Sequence, residues 1–265
     1  MPTGLDATLE MVPIRPMQHD ERITGLTLTF RAGERPDADA IARVIAASRE
    51  AGLPASISHR PPGAAHWLEL LASGLTFDLN GLAPGAPGPV ANSQQEWGFE
   101  GSGPVGGETI ELVPSGHIAG GAGILPVLRT MMGLAANLVL ELPVQSVGWG
   151  AAQTAMEPRY FCRAVLNWLG GGPFPGLGLT ALLPAQDGSI ASRGLAHFTG
   201  QEMQLEGRAG EAPADTAKLA VRVIDRLVTM GRLAAPVRID AGDQILTAEP
   251  SQVGRLVLVW REGRG

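Results

Sequence analysis

The sequence predicts an α+β fold, with mainly antiparallel sheets, helices packed on one face and two loosely ferredoxin-like halves. Three observations carry this reading. Short alternating runs such as LTLTF, LTFDLN, ETIELV and RLVLVW occur in both halves of the chain. Four longer segments repeat apolar residues with the 3.6-residue helical period between them. Two apolar runs flank Gln186-Asp187-Gly188, a strong hairpin signal.

Residues 1–22, with three prolines and no periodicity, read as an irregular arm. A unit over 23–80 follows. ITGLTLTF (23–30) suits a strand through its interleaved threonines. Pro36-Asp37 opens a helix whose Ile41, Val44, Ile45 and Ser48 share a face, and Gly52 with Pro54 ends it. ASISHR (55–60) and LTFDLNGL (75–82) read as two more strands, the second preceded by the turn-like Ser73-Gly74. Residues 81–107 hold eight glycines and four prolines around the island QQEWGFE, which makes them a long loop or hinge.

The unit over 108–265 is expected to pack with the first as one globule. ETIELVPS (108–115) reads as a strand and GHIAGGAG (116–123) as a glycine-rich turn. A helix over about 124–141 follows, with Leu125, Leu128, Met132, Ala135 and Leu138 or Val139 inward. VQSVGWG is a short strand, and Glu157-Pro158 opens a helix carrying Phe161, Val165, Trp168 and Leu169 up to Gly170. SRGLAHFTGQEMQLE (192–206) is expected to be the second strand of the hairpin. A final helix over about 214–230 buries Ala220, Val223, Ile224, Leu227 and Val228, and QILTAEP and RLVLVW supply the last strands.

Composition narrows the function classes. A chain of 265 residues, 45% hydrophobic, can bury a substantial core. The net charge of -6, with nineteen arginines, the single lysine Lys218 and no basic block, leaves no electrostatic footprint for nucleic acid or anionic membrane. Cys162 cannot form an intramolecular disulfide and reads as a buried hydrophobe beside Phe161. The N-terminus lacks a basic region followed by an apolar core, and the most apolar segment (118–142) is interrupted by Pro126, Arg129 and Glu141. A cytoplasmic protein with no membrane span is expected.

The second half resembles a bacterial family of unknown function with the C-terminal signature Thr-x-Gly-Leu/Met-x-x-Phe-Gly-x-x-Glu-Ile/Leu-Glu. The resemblance rests on the segment from Ser192 through Gly194, Leu195, Phe198, Gly200 and Glu202 to Glu206. It extends to Ser115-Gly116-His117, to Val147-Gly148-Trp149 with Gln153, and to Tyr160-Phe161, in the same order over about 108–250. The chain departs from the signature by one extra residue between Phe198 and Gly200 and by Met203-Gln204 within the last glutamate spacing. The resemblance implies a fold and no chemistry.

Few residues point to a site. Glu202 and Glu206 on one strand would lie about 13 Å apart, too far to share a proton or a metal. They read as a solvated sheet face, with Glu202 near His117 as the competing reading. His117 lies within a glycine-rich turn (Gly116, Gly120, Gly121) whose backbone could hold an anion, although the run lacks both the P-loop ending and the dinucleotide spacing. Close strand-to-helix packing is the simpler reason for those glycines. The five histidines are scattered and one cysteine cannot build a structural zinc site, so neither metal nor cofactor is expected. Trp97 and Phe99 are too apolar for an inert linker and must anchor the 81–107 loop or face a partner. The expected function is a non-enzymatic binding or interaction module with a protein partner, and no motif sets its subunit number. The alternative is a small-molecule enzyme using His117 with Glu202 beside the glycine-rich turn.

Overall fold

Leu26, Leu28 and Phe30 alternate with threonines, and that period of two places all three side chains on one side of a strand, β1 (Leu26–Phe30), where none is exposed. The computed structural model describes residues 25–50, 55–63, 66–90, 92–101, 103, 106–242 and 244–261. The expected arm over 1–22 and the helix stop at Gly52-Pro54 lie outside the described residues. After β1 come α1 (Ala38–Glu50), β2 (Ala55–His59), β3 (Trp67–Ala72), β4 (Leu75–Asn80), β5 (Gln95–Trp97) and β6 (Glu108–Pro114). A 3₁₀ turn (Gly116–Gly121) leads to α2 (Leu125–Glu141), β7 (Ser146–Trp149), β8 (Thr154–Met156) and α3 (Pro158–Leu169). The remainder is a short helical turn α4 (Gly176–Leu179), β9 (Ala181–Pro184), β10 (Ile190–Arg193), a second short turn α5 (Ala196–Thr199), β11 (Glu202–Leu205), α6 (Pro213–Met230), β12 (Val237–Asp240), β13 (Ile245–Pro250) and β14 (Leu256–Arg261).

The strands form an eight-stranded sheet in the order β2-β3-β4-β6-β1-β7-β8-β5 and a six-stranded sheet in the order β12-β13-β14-β11-β10-β9. Every pairing is antiparallel except β5 with β8 and β11 with β14. This is the α+β architecture expected. The boundary between the two sheets falls near Leu179 rather than in 81–107, because β6 inserts between β4 and β1 and so joins 108–156 to the first unit. Each sheet is larger than a four-stranded ferredoxin-like unit.

Register builds the core. Leu68 pairs with Leu79, Leu79 with Leu112, Leu112 with Leu26, Leu26 with Trp149 and Trp149 with Thr154, giving one row across six strands in which every residue is fully buried. Ile110, Leu28, Val147 and Met156 make a second row two residues along. Against the sheet pack α1, α2 and α3, with α2 touching both other helices, while α6 packs on β10. Helix ends follow their sequence signals. Asp37 Oδ1 accepts from the Ala40 N–H at 2.7 Å, Glu157 Oε2 accepts from the Tyr160 N–H at 2.7 Å, and Gly231 ends α6 with φ 72°.

Four strands were not anticipated: β3, β5, β8 and β12. β3 and β4 are a hairpin closed by Ser73 and Gly74, with φ of 51° and 77°, the two-residue left-handed turn that matches strand twist. The loop over 81–107 contains a strand as well. Arg35 fastens its start by donating to the Gly81 and Gly85 carbonyls, Gly88 N–H donates to Thr109 O at 2.7 Å, and β5 closes the sheet beside β8.

Leu26 sits at the centre of the buried row, so Leu26→Ala is expected to lower unfolding free energy by about 2–5 kcal/mol. Urea denaturation checks this, with the midpoint falling and the slope unchanged.

Candidate functional site

Four elements from different parts of the chain converge on one groove. From the eight-stranded sheet comes its edge strand β5, with Gln95 and Trp97; from the six-stranded sheet come Leu182 on β9 and Ile190 on β10; α6 supplies Thr216, Ala217 and Val221. Leu177 of α4 fills in between, held there because Tyr160 Oη donates to its carbonyl at 3.0 Å and Thr154 Oγ1 donates to the Gly178 carbonyl. The groove's volume is about 980 Å³, at the upper end of the range of small-molecule sites. The walls are mainly apolar.

Why β5 faces the groove follows from its pairing. Gln95 is opposite Thr154 and Trp97 opposite Met156, so both continue the buried rows of the sheet, while Glu96 between them is exposed and its carboxylate accepts from the Gly103 N–H at 2.8 Å. Gln95 Nε2 donates to Leu182 O at 2.7 Å and ties the two sheets together at the floor of the groove. Its Oε1 and the Trp97 indole N–H are out of reach of water and have no hydrogen-bond partner among the described residues. The expectation that Trp97 anchors the loop agrees with its packing on the core. Phe99 instead lines a second cavity of about 530 Å³ with Val139, Leu140 and Cys162.

His117 and Glu202 are not brought together. His117 is 62% exposed; its Nε2 lies 2.6 Å from Thr76 Oγ1 and its Nδ1 is 3.9 Å from Glu69 Oε2. Glu202 is half-buried, and its carboxylate is fully engaged elsewhere. Oε1 accepts from the Gly194 N–H at 2.8 Å and the Ala196 N–H at 3.2 Å, and Oε2 accepts from Ser192 Oγ at 2.5 Å and the Leu195 N–H at 3.2 Å. Three backbone donors and a hydroxyl around one carboxylate make a structural clasp for the turn into α5. Residues 192–206 are therefore not one strand. β10 ends at Arg193, the chain turns through Gly194, whose φ of 88° and closeness to Ala152 exclude a side chain, and β11 starts only at Glu202.

The glycine-rich turn is not explained by tight packing. A Cβ at Gly116 or Gly120 would meet nothing within 4 Å and one at Gly121 only the Ile124 side chain, and none of the three has positive φ. Gly116 and Gly120 are exposed and carry no close contact that requires glycine.

Two other reactive groups are quieted by burial. The Cys162 thiol donates to Ala136 O at 3.6 Å and burial pushes it up to about 11, so it is no nucleophile near neutrality. His197 lies edge-on to Trp149 with ring centroids 5.0 Å apart, Nε2 unpartnered, and burial pushes it down to about 4. With Phe198, Phe174 and Trp168 it forms an aromatic cluster; Phe174 and Phe198 are 4.8 Å apart, near perpendicular. Among the described residues no three metal-ligating side chains gather and no helix is long and apolar enough to cross a membrane.

The groove residues that the sequence did not single out are Gln95, Leu182 and Val221. The signal for Gln95 was the alternation Gln-Glu-Trp inside a glycine-rich run, next to the Trp97 that was noticed. Comparison of the chain with protein-family models, with curated proteins and with solved structures finds no match.

Glu202→Gln should lower stability by about 2 kcal/mol through loss of charge-assisted bonds, read by denaturant titration. For His197, the neutral ring is buried while the unfolded ring protonates near 6.5. Stability is then independent of this group above about pH 7 and falls as pH drops from 6.5 toward 4, by up to about 3 kcal/mol. Urea melts across that window should show the slope in the native chain and its loss in His197→Phe.

Proposed function

We infer that this protein is a non-enzymatic binding module and that the groove between β5, β9–β10 and α6 is where it binds. The observation that carries this reading is the 980 Å³ apolar groove itself, built where two sheets meet and walled by an aromatic anchor. An unfilled apolar groove of this size leaves hydrocarbon surface in contact with water, and covering it is favourable in proportion to the area removed. Every chemical feature along its walls suits holding a molecule. None is suited to transforming one, since Thr216 Oγ1 is bonded to Glu211 and Lys218 to Asp215.

The enzyme alternative rests on one contact, Thr76 Oγ1 beside His117 Nε2, with Glu69 on the far side of the ring. That array stands on the open surface of the sheet, where water competes for each group. It is the weaker reading.

Nile red, a neutral apolar dye, tests the binding reading. Its emission should rise and shift to the blue on addition of the protein, Ala217→Trp should suppress the change by filling the groove, and His117→Ala should leave it intact. Dye binding indifferent to Ala217→Trp, with the variant's melting temperature preserved, would count against the groove.

A further inference from the structure

We propose that the groove takes a short extended peptide, which joins the six-stranded sheet as an added strand along β9. This rests on the groove being the binding site and names what it holds. β9 is the outermost strand of its sheet, with β10 on one side and no strand among the described residues on the other. Which main-chain groups face that open side follows from the register. The Ala185 N–H donates to Ser189 O at 2.8 Å, and from that contact the antiparallel ladder alternates. Leu183 and Ala181 exchange bonds with β10, while Leu182 and Pro184 turn their main-chain groups away from it. Two bonds on the open side agree with this: the Gly178 N–H donates to Thr180 O at 3.3 Å, and Gln95 Nε2 donates to Leu182 O at 2.7 Å. Gln95 lines the groove, so the open edge of β9 looks onto it. There the Leu182 N–H and the Pro184 carbonyl have no partner among the described residues, and Leu182 O keeps a second lone pair.

An edge of this kind sets the chemistry of the occupant. Leu182 is buried, and a hydrocarbon laid along it would leave an amide donor with neither water nor an acceptor. An extended peptide supplies both halves of a hydrogen-bonded pair, a carbonyl for the Leu182 N–H and an N–H for its oxygen. The opposite wall has a matching length. α6 lines the groove from Pro213 to Arg222, about 14 Å at the helical rise, which is the span of about four extended residues. On that wall Ala214 and Ala217 are small, and with Val221 and with Ile190 of β10 they form an apolar surface for every second side chain of the added strand. A segment that alternates apolar and polar residues meets both demands. Pro184, which has no N–H, limits the ladder to a few residues and works against pairing of β9 edge to edge with a second copy of the chain.

Isothermal titration of the full chain with an end-blocked hexapeptide of alternating valine and threonine, and with octanol, tests the proposal. The peptide should bind one to one and more tightly than octanol. Main-chain N–H groups of successive strand residues point to opposite sides, so N-methylating all the valines or all the threonines blocks one edge of the peptide at a time. One of the two methylated peptides should lose about tenfold or more in affinity, and the other should stay within about twofold of the parent. Ala217→Trp should abolish peptide binding with the melting temperature kept. Equal effects of the two methylations would overturn the added strand. Octanol binding more tightly than the peptide would replace the polypeptide by a hydrocarbon, and peptide binding that survives in a folded Ala217→Trp variant would place it outside the groove. Absence of peptide binding alongside a Nile red response would remove this proposal and keep the groove, whereas absence of both would remove the groove reading as well.

Discussion

The structure depends on the pairing of β1 with β6 on one side and β7 on the other. That double register aligns Leu68, Leu79, Leu112, Leu26, Trp149 and Thr154 into one buried row, and no other element could place so many side chains against the helical layer at once. Side chains alternate strictly, so a one-residue slip of β1 would turn Thr27 and Thr29 toward the helices and Leu26 and Leu28 away from them. Such a slip loses several buried leucine equivalents together, which is why the register is unambiguous. The row also ends somewhere definite. Its last member pairs with Gln95, and the groove opens at that edge.

The second sheet is organised by polar groups as much as by apolar ones. Glu202 gathers the turn before α5, and the adjacent Gln201, almost wholly buried, donates to the Leu233 and Gly254 carbonyls and accepts from the Leu233 N–H at 2.8 Å. Two consecutive residues at the head of β11 thus bind the turn behind them, the segment after α6 and the turn between β13 and β14. Buried polar groups with all partners supplied specify one arrangement, because any shift leaves them unsatisfied in a low-dielectric interior. The groove inherits its shape from this clasp, since β10 and α6 are two of its walls and both pack on what Gln201 and Glu202 hold.

Much of the fold was legible in local pattern. α1, α2, α3 and α6 each carried a periodic face, and Asp37, Glu157 and Gly231 marked ends that the structure retains. β3 is equally legible, since HWLELLA and LTFDLN alternate on both sides of Ser73-Gly74. β8 and β12 are too short to display alternation. The parallel pairs β5 with β8 and β11 with β14 join segments far apart in the chain, and nothing in a local window encodes a partner at such distance. The site divided in the same way. Trp97 stood out because an aromatic in a glycine-rich run needs a place to dock, whereas Leu182 and Val221 look like any other core residues until two sheet edges and a helix bring them together. Glu202 was noticed for its charge and proved to be a clasp, since sequence shows a carboxylate but not the amides that surround it.

Strand β5 has one more consequence, concerning frame. Its pairing with β8 is fixed at both ends, at the start by the Gln94 N–H, which donates to Gln153 O at 2.7 Å, and at the far end by a glycine. There Gly98, with φ 85° and a backbone so close to Tyr160 that a Cβ would lie 2.4 Å from it, is a keyed position that only glycine can enter. The Glu157 N–H donates to Trp97 O at 2.8 Å immediately beside it. A shift of one residue at Gly98 would move the Trp97 indole off the face that it shares with Gln95. One wall of the groove thus depends in part on a glycine that does not line it.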